Sequence, residues 1–201
     1  FLRSASLLTP PTVAARLFGT LPLVASHTQQ NYYSPTTYTP VVSVNVQRHV
    51  VGPGSDDHVD PAWQLKEQIR ENEGVLRQRR NFFENAYRRS TVYLYADRAN
   101  DRLVGFAAVR RDGYILFLAV AQEYRGEGFG KRLVANVADE HGSVTCHART
   151  TNREALDFYR SLGFRVKRRI DNYYEDGGDA FYLKLGEDEG IRDRLANLLS
   201  R

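Results

Sequence analysis

The sequence contains no methionine, a single cysteine and no long apolar run. One cysteine, Cys146, excludes an intramolecular disulfide and a cysteine zinc cage. A lone cysteine is typical of a reducing compartment, so we expect a cytoplasmic protein. The longest apolar run, Tyr114 to Ala121, is far shorter than the ~20 residues of a membrane span, and no contact with a membrane is predicted.

Acidic residues are missing from the first part of the chain. None occurs before Asp56, while serine, threonine, proline and two arginines are scattered through residues 1–42. This composition does not build a core, and one interpretation is a disordered leader. An organellar transit segment is an alternative, because such segments are Arg-containing, Ser-rich and acid-poor. A third interpretation, which we favour, is that the domain begins near Val42 with a non-standard start codon.

The remaining composition predicts one domain with a mixed surface. At 201 residues and 42% hydrophobic, the chain can bury one sizeable core. The formal charge of +4 comes from 28 basic and 24 acidic residues, which are interspersed. Two basic clusters, 77–80 and 167–169, have acids nearby and are interpreted as solvated faces. Nucleic acid is therefore not an expected partner.

A glycine-rich turn lies between a predicted strand and a predicted helix. Gly126, Gly128 and Gly130 follow the apolar strand 114–120 and precede a helical pattern that starts at Lys131. Their spacing fits neither the dinucleotide-binding nor the Walker motif. Glycines let backbone N–H groups approach an anion closely, and a helix N-terminus adds a partial positive charge. The pattern predicts a phosphate-binding turn.

Two motifs in this order resemble segments of the GNAT acetyltransferases. The stretch Arg125 to Gly130 is similar to the Arg/Gln-x-x-Gly-x-Gly/Ala loop of that family, which binds acetyl-coenzyme A. The stretch Asn152 to Phe164 is similar to the family's Asn-x-x-Ala-x-x-Phe-Tyr…Gly-Phe segment. The resemblance covers residues 43–186, which we predict to be the acetyltransferase domain.

The resemblance implies a mixed α/β fold, with a central, mostly antiparallel sheet flanked by helices, and acetyl-coenzyme A as co-substrate. Backbone N–H groups of the loop would hold the pyrophosphate, with Arg125 or Lys131 as point charges. The strand before the loop would pair with the pantetheine arm, and one of its amides would polarise the thioester carbonyl. The residues expected to bind the coenzyme are Leu118, Ala119, Val120, Arg125, Gly126, Glu127, Gly128, Phe129, Gly130, Lys131, Asn152 and Tyr159.

Asn152 and Tyr159 are seven residues apart, about two helical turns, and so share a side of their helix. The resemblance implies that the asparagine binds the coenzyme and that the tyrosine serves the leaving sulfur as an acid. A purely structural interpretation is also open, with Asn152 as a helix-start residue and Tyr159 as a core aromatic.

The expected general base is His147, which strand alternation places on the face opposite Cys146. The closest motifs are those of the protein N-alpha-acetyltransferases and of the ribosomal-protein-alanine acetyltransferase type. One branch carries a tyrosine at the head of the strand before the loop, a histidine five residues before the asparagine, and Asn-Tyr-Tyr before its last strand. Tyr114, His147 and the pair Tyr173-Tyr174 match. The resemblance implies that His147 and Tyr114 serve the amine and that the tyrosine pair lines the substrate mouth.

The expected reaction is direct transfer of acetyl from acetyl-coenzyme A to a primary amine in a ternary complex, with no metal. The leading acceptor is a protein or peptide amino terminus. The alternative acceptor is a small amine, such as a polyamine or an aminoglycoside. A non-catalytic coenzyme A-binding module is the alternative outside enzymes.

Helix and strand patterns complete the prediction. The first expected elements are a strand at 43–51, a helix that opens at Asp60-Pro61 and ends at Gly74, and a second helix that carries Leu76, Phe83 and Tyr87. A three-strand antiparallel meander over 91–120 and a helix after the glycine loop follow. The last expected elements are a strand at 143–150, a helix opened by the capping box Thr151-x-x-Glu154, and strands at 165–171 and 180–185. A tail helix within 187–201 is expected to pack on the domain or on a second copy of the chain, forming a homodimer.

Overall fold

The computed structural model describes residues 45–100 and 102–186. The predicted leader and the tail helix lie outside these residues. The elements are β1 (Val46–Val51), α1 (Val59–Glu73), α2 (Arg80–Arg88), β2 (Thr91–Asp97), β3 (Arg102–Val109), β4 (Tyr114–Val120), α3 (Phe129–Glu140), β5 (Val144–Arg149), α4 (Arg153–Ser161), β6 (Arg165–Ile170) and β7 (Ala180–Leu185). Within the described ranges no helix combines the length and apolar character that a bilayer crossing requires.

The strands form one sheet in the order β1-β2-β3-β4-β5-β7-β6. The pairs β1–β2, β2–β3, β3–β4, β5–β7 and β6–β7 are antiparallel, and only β4–β5 is parallel. The predicted meander of β2, β3 and β4 is confirmed, as is the mixed α/β fold with a mostly antiparallel sheet.

Side-chain alternation along the strands builds a core on each face of the sheet. Tyr93 in β2 packs into the cluster that contains the buried stripes of α3 and α4, whereas its neighbours Val92 and Leu94 pack into the cluster of α1 and α2. Phe83 of α2, fully buried, lies at the centre of the second cluster. Helices therefore cover both faces of the sheet.

A β-bulge interrupts this alternation in β4. The register with β3 passes from Ala108↔Phe117 to Val109↔Ile115, so Leu116 has no partner in β3. The extra residue reverses the faces, because Ile115 packs with α3 while Phe117 packs with α1 and α2. The bulge thereby redirects the backbone of β4 at its midpoint.

Strands β4 and β5 pair only at their start. The parallel ladder joins Tyr114 to Thr145 and Ile115 to Cys146 and goes no further. Beyond it, β5 pairs with β7 while β4 pairs with β3, and a gap opens between β4 and β5. The Ala121 N–H donates to the Val104 carbonyl on the β3 side, so the Val120 carbonyl points into the gap. By alternation, the backbone groups of Leu118 point the same way.

Three helix boundaries differ from the sequence prediction. Helix α1 begins at Val59 rather than Pro61, because His58 adopts the left-handed conformation that ends the preceding turn. Leu76 is not part of α2; it lies in the connecting loop with a φ of 52°. Thr151 does not cap α4, since the Asn152 side chain accepts the N-cap hydrogen bond from the Ala155 N–H at 3.0 Å. The predicted end of α1 at Gly74 is confirmed by its φ of 69°.

Candidate active site

A cavity of about 790 Å³ extends from the glycine loop along the β4–β5 gap to the loops that join α1 to α2 and β6 to β7. Its lining includes all of β4 and, apart from Glu127, every residue expected to act in catalysis or binding. Glu127 is exposed and does not line the cavity. The fold thus brings these expected residues into one cleft, although the first and the last of them, Tyr114 and Tyr174, are 60 positions apart in the sequence.

The glycine loop leaves open space beside its backbone, where a ligand can contact the backbone N–H groups. Gly126 and Gly128 have φ values of 84° and 85°, and a Cβ built on either would meet no atom within 4 Å. Gly128 is the N-cap of α3, so the first N–H groups of that helix have no partner within it. The loop and the helix end together form an anion-binding concavity.

Gly130 has a packing role that the sequence analysis did not predict. A Cβ at this position would come within 3.0 Å of the Phe158 side chain on α4. Its small size therefore allows α3 and α4 to approach each other beside the cavity, in addition to any contact with a ligand. Phe158 itself lines the cavity but was not identified from the sequence.

Arg125, expected as a point charge for a phosphate, has protein partners in this structure. Its Nη2 donates to Glu73 Oε1 at 2.6 Å and its Nη1 to Glu154 Oε1 at 3.4 Å. Its Nε donates to the Val120 carbonyl at 3.2 Å. Two carboxylates and a carbonyl thus hold the guanidinium, which ties the glycine loop to the end of α1. Lys131 lines the same end of the cavity.

Tyr159 lies at the inner wall of the cavity with 7% of its surface exposed. Burial, with the Cys146 thiol beside it, raises its pKa well above the ordinary value. Its ring packs against Phe158 and Phe164. Both the expected acid role and the core role are compatible with this position, because a protonated hydroxyl at a cavity wall can donate to a ligand.

Asn152 lines the cavity at the start of α4. Its Oδ1 caps the helix, so the acceptor half of its amide is occupied. The Nδ2 group is the part of this side chain that can serve a coenzyme.

The three aromatic residues expected at the acceptor end meet around His147. Tyr114 Oη lies 2.6 Å from His147 Nδ1, and Tyr173 Oη lies 3.4 Å from the same atom. The Tyr173 ring stacks on the imidazole, with centroids 4.4 Å apart and an interplanar angle of 16°. Tyr174 packs edge-on against Tyr173. The strand register places Tyr114 and His147 together because Tyr114 pairs with Thr145, two residues before the histidine.

Burial lowers the pKa of His147, and the nearby Arg168 guanidinium lowers it further. The imidazole is therefore neutral at pH 7 and can accept a proton. Burial also raises the pKa of Tyr114 far above its usual range, so its hydroxyl keeps its proton. His147 Nε2 is buried and has no hydrogen-bond partner among the described residues.

The α1–α2 loop and the first turn of α2 supply lining residues that the sequence analysis missed. Leu76, Gln78 and Phe82 line the cavity, and Phe82 is 56% exposed. The buried Lys66 donates to the Gln78 carbonyl at 2.5 Å and fixes the loop. A positive φ at a leucine and an exposed phenylalanine beside a cavity are signals of a binding site, but both appear only in the structure. Among the described residues no cluster of side chains could hold a metal ion.

The acetyltransferase (GNAT) domain family model matches residues 88–166. N-alpha-acetyltransferase 30 of Schizosaccharomyces pombe is 34% identical over 95 residues, which cover 41% of this chain and 63% of that protein. N-alpha-acetyltransferase MAK3 of Arabidopsis thaliana is 42% identical over 78 residues, covering 36% of this chain and 41% of that protein. The chain spans less than two thirds of the length of the curated relatives that it matches.

Solved structures share the fold. Ard1 from Thermoplasma volcanium superposes with a TM-score of 0.56 at 21% identity, covering 70% of this chain and 96% of that one. Arabidopsis thaliana Naa50 in complex with the bisubstrate analogue CoA-Ac-MVNAL gives a TM-score of 0.53 at 25% identity, covering 71% and 99%.

Proposed function

The chain contains a GNAT acetyltransferase domain, and we propose that it transfers acetyl from acetyl-coenzyme A to the free amino terminus of a peptide or protein. The observation that carries the proposal is a single cleft with an anion-binding turn at one end and a tyrosine–histidine cluster at the other. The similarity to N-alpha-acetyltransferases supports the choice of acceptor.

The residues present fit acetyl-coenzyme A. The open space above Gly126 and Gly128 and the free N–H groups of α3 suit a pyrophosphate. The backbone groups of Leu118 and Val120 that face the gap suit the amides of a pantetheine arm. Arg125 occupies the Val120 carbonyl, so the pantetheine arm displaces this hydrogen bond or binds beside it.

In the transfer step, the nitrogen of a neutral amine bonds to the acetyl carbon, the carbon–sulfur bond breaks, and the amine loses a proton. His147 takes that proton, since its imidazole is neutral and lies at the acceptor end of the cleft. Because His147 Nε2 is buried, the proton reaches Nδ1 through the Tyr114 hydroxyl, which gives its own proton to Nδ1 as it takes the proton of the amine. The tyrosine pair places the acceptor against this cluster.

Tyr159 stabilises the sulfur of coenzyme A as the carbon–sulfur bond breaks. Its high pKa keeps the hydroxyl protonated, so it donates a hydrogen bond to the thiolate that forms. Because this contact matters mostly in the transition state, it accelerates the reaction more than it strengthens binding.

Proton chemistry favours amino termini over lysine. An α-amino group has a pKa of about 7.7–8.0 and a lysine about 10.4, so a far larger fraction of termini is neutral at pH 7. A single histidine base is therefore sufficient to complete the deprotonation of an α-amino group. Lysine acetylation would require a stronger base at the acceptor end.

The test is a steady-state comparison of thiol release with three acceptors: peptides with a free amino terminus, the same peptides blocked at the terminus but carrying lysine, and spermidine. We expect kcat/KM to be highest for the free termini. A far higher kcat/KM for spermidine would show that the acceptor is a small amine and not a peptide. Tight binding of acetyl-coenzyme A without turnover of any amine would show that the domain is a non-catalytic coenzyme A-binding module.

A further inference from the structure

Two loops border the acceptor end of the cavity. Residues 74–79 join α1 to α2, and residues 171–179 join β6 to β7; both contribute to the cavity lining. One carboxylate, that of Asp176, connects them although its partner in the first loop is 99 positions away in the sequence.

Both oxygens of Asp176 are engaged. Oδ2 accepts a hydrogen bond from Arg77 Nη1 at 2.8 Å, and Oδ1 accepts one from Arg149 Nη1 at 2.9 Å. Oδ1 also accepts from the Gly178 N–H at 3.2 Å. Arg77 is anchored in turn, because its Nε donates to the Gly74 carbonyl at 2.7 Å, at the end of α1. We refer to Arg77, Asp176 and Arg149 as the ionic bridge.

The ionic bridge reaches the catalytic cluster through aromatic contacts. The Arg149 guanidinium lies over the Tyr174 ring at 3.9 Å from its centroid. Tyr174 packs edge-on against Tyr173, and Tyr173 stacks on His147. A Cβ at Gly178 would overlap Arg149 Nη1, so the glycine at this position leaves room for the guanidinium.

The bridge is too exposed to be a major source of stability. The Arg77 side chain is 58% exposed and that of Asp176 is 37% exposed. Ion pairs of this kind contribute little to the free energy of unfolding, and salt screens them. Their geometric effect is larger, because they fix two otherwise separate loops at the opening through which an acceptor enters.

We infer that Asp176 is a positioning residue that holds the two loops together across the acceptor mouth and, through Arg149, sets the orientation of the tyrosine pair. This inference rests on the proposed function, since the acceptor is taken to be a peptide. An acceptor peptide then binds to a mouth that is already ordered. Without the carboxylate, both arginines lose their partner and the mouth loosens.

The test is Asp176→Asn, which keeps the size of the side chain and removes its charge. We expect the KM for a free-terminus peptide to rise about five- to tenfold, kcat to change less than about twofold, and the affinity for acetyl-coenzyme A to stay the same. Arg77→Ala should raise the peptide KM as well, and Arg77→Lys should restore part of the loss. Higher ionic strength should raise the peptide KM of the wild type more than that of Asp176→Asn.

The matched control is Asp157→Asn, which breaks an exposed pair with Arg160 on the surface of α4 and should leave all of these constants unchanged. Limited trypsinolysis read by mass spectrometry gives a measurement that does not depend on activity. We expect cleavage after Arg79 to be faster in Asp176→Asn than in the wild type and the control.

Unchanged peptide KM and unchanged cleavage after Arg79 would overturn the inference. A parallel loss of thermal stability and of acetyl-coenzyme A affinity would also overturn it, by showing a general structural role. If the wild type acetylates no peptide, the proposed function fails, while the trypsin comparison still decides whether Asp176 orders the mouth.

Discussion

At the residue scale, the hydroxyl of Tyr159 is the group whose removal best separates chemistry from binding. The residue is buried at the cavity wall and its hydroxyl is protonated because burial raises its pKa. We expect Tyr159→Phe to lower kcat by about tenfold or more while leaving coenzyme affinity nearly unchanged.

The measurement is kcat under conditions where chemistry limits the rate, together with calorimetry of acetyl-coenzyme A binding. Tyr95→Phe is the control, since it removes a hydroxyl that bonds to Asn136 outside the cavity. Equal turnover in Tyr159→Phe and wild type would assign this tyrosine to the core alone.

The pH dependence follows from the pKa of His147, which is lowered by burial and by Arg168. A lowered pKa means that the neutral base persists to lower pH, and the rate falls only as the pH drops through that value. We expect kcat at saturating peptide to fall on an acidic limb below the ordinary histidine pKa of about 6.5. Arg168→Gln removes the positive charge and should move this limb to higher pH.

His147→Ala should lower kcat by about a hundredfold, with the greatest loss between the lowered pKa of the histidine and about pH 7.5, where the imidazole is neutral and the amine depends most on a base. Arg160→Gln, at an exposed pair on α4, serves as the control for loss of an arginine. An acidic limb that is the same in Arg168→Gln and wild type, or one that persists in His147→Ala, would remove the histidine from the role of base.

At the scale of the element, the two glycines at the start of α3 should respond differently to a side chain. Gly128 has a φ of 85° and open space around it, so Gly128→Val strains the loop and fills the ligand space. We expect the dissociation constant for acetyl-coenzyme A to rise at least about tenfold. Gly130→Val pushes against Phe158 and should also lower the melting temperature.

Calorimetry and thermal unfolding measure the two effects. Gly142→Val is the control, because this glycine lies beyond α3, meets no atom within 4 Å and has no positive φ. Coenzyme affinity that is equal in Gly128→Val and Gly142→Val would contradict the assignment of the anion site.

At the scale of the whole molecule, the two core clusters are built from residues between Val51 and Leu185. A chain lacking residues 1–42 should therefore keep its thermal transition and its turnover rate nearly unchanged. Differential scanning calorimetry and the peptide assay test this expectation. Loss of the transition in the truncated chain would show that the core is incomplete without residues 1–42.

The sequence by itself determined the order of elements and one end of the site. A short continuous apolar run placed Tyr114 to Val120 in a strand, and glycine spacing marked the turn after it, because backbone conformation and apolar patterning are local properties. The resemblance of two motifs to the GNAT family then predicted the fold, which the structure confirms, and a coenzyme-binding loop. Local patterns failed at the starts of α1 and α4, where caps depend on how the preceding turn is folded.

Only the tertiary structure decided what these residues touch. The partners of Arg125 come from α1 and α4, the neighbour of Gly130 comes from α4, and the partner of Asp176 comes from a loop before α2. Such contacts arise when distant segments pack, and a single sequence does not encode side-chain distances in any local pattern. The bulge at Leu116 likewise reverses the faces of β4 because its register depends on β3. The loops that border the proposed acceptor mouth therefore became visible only in the folded chain.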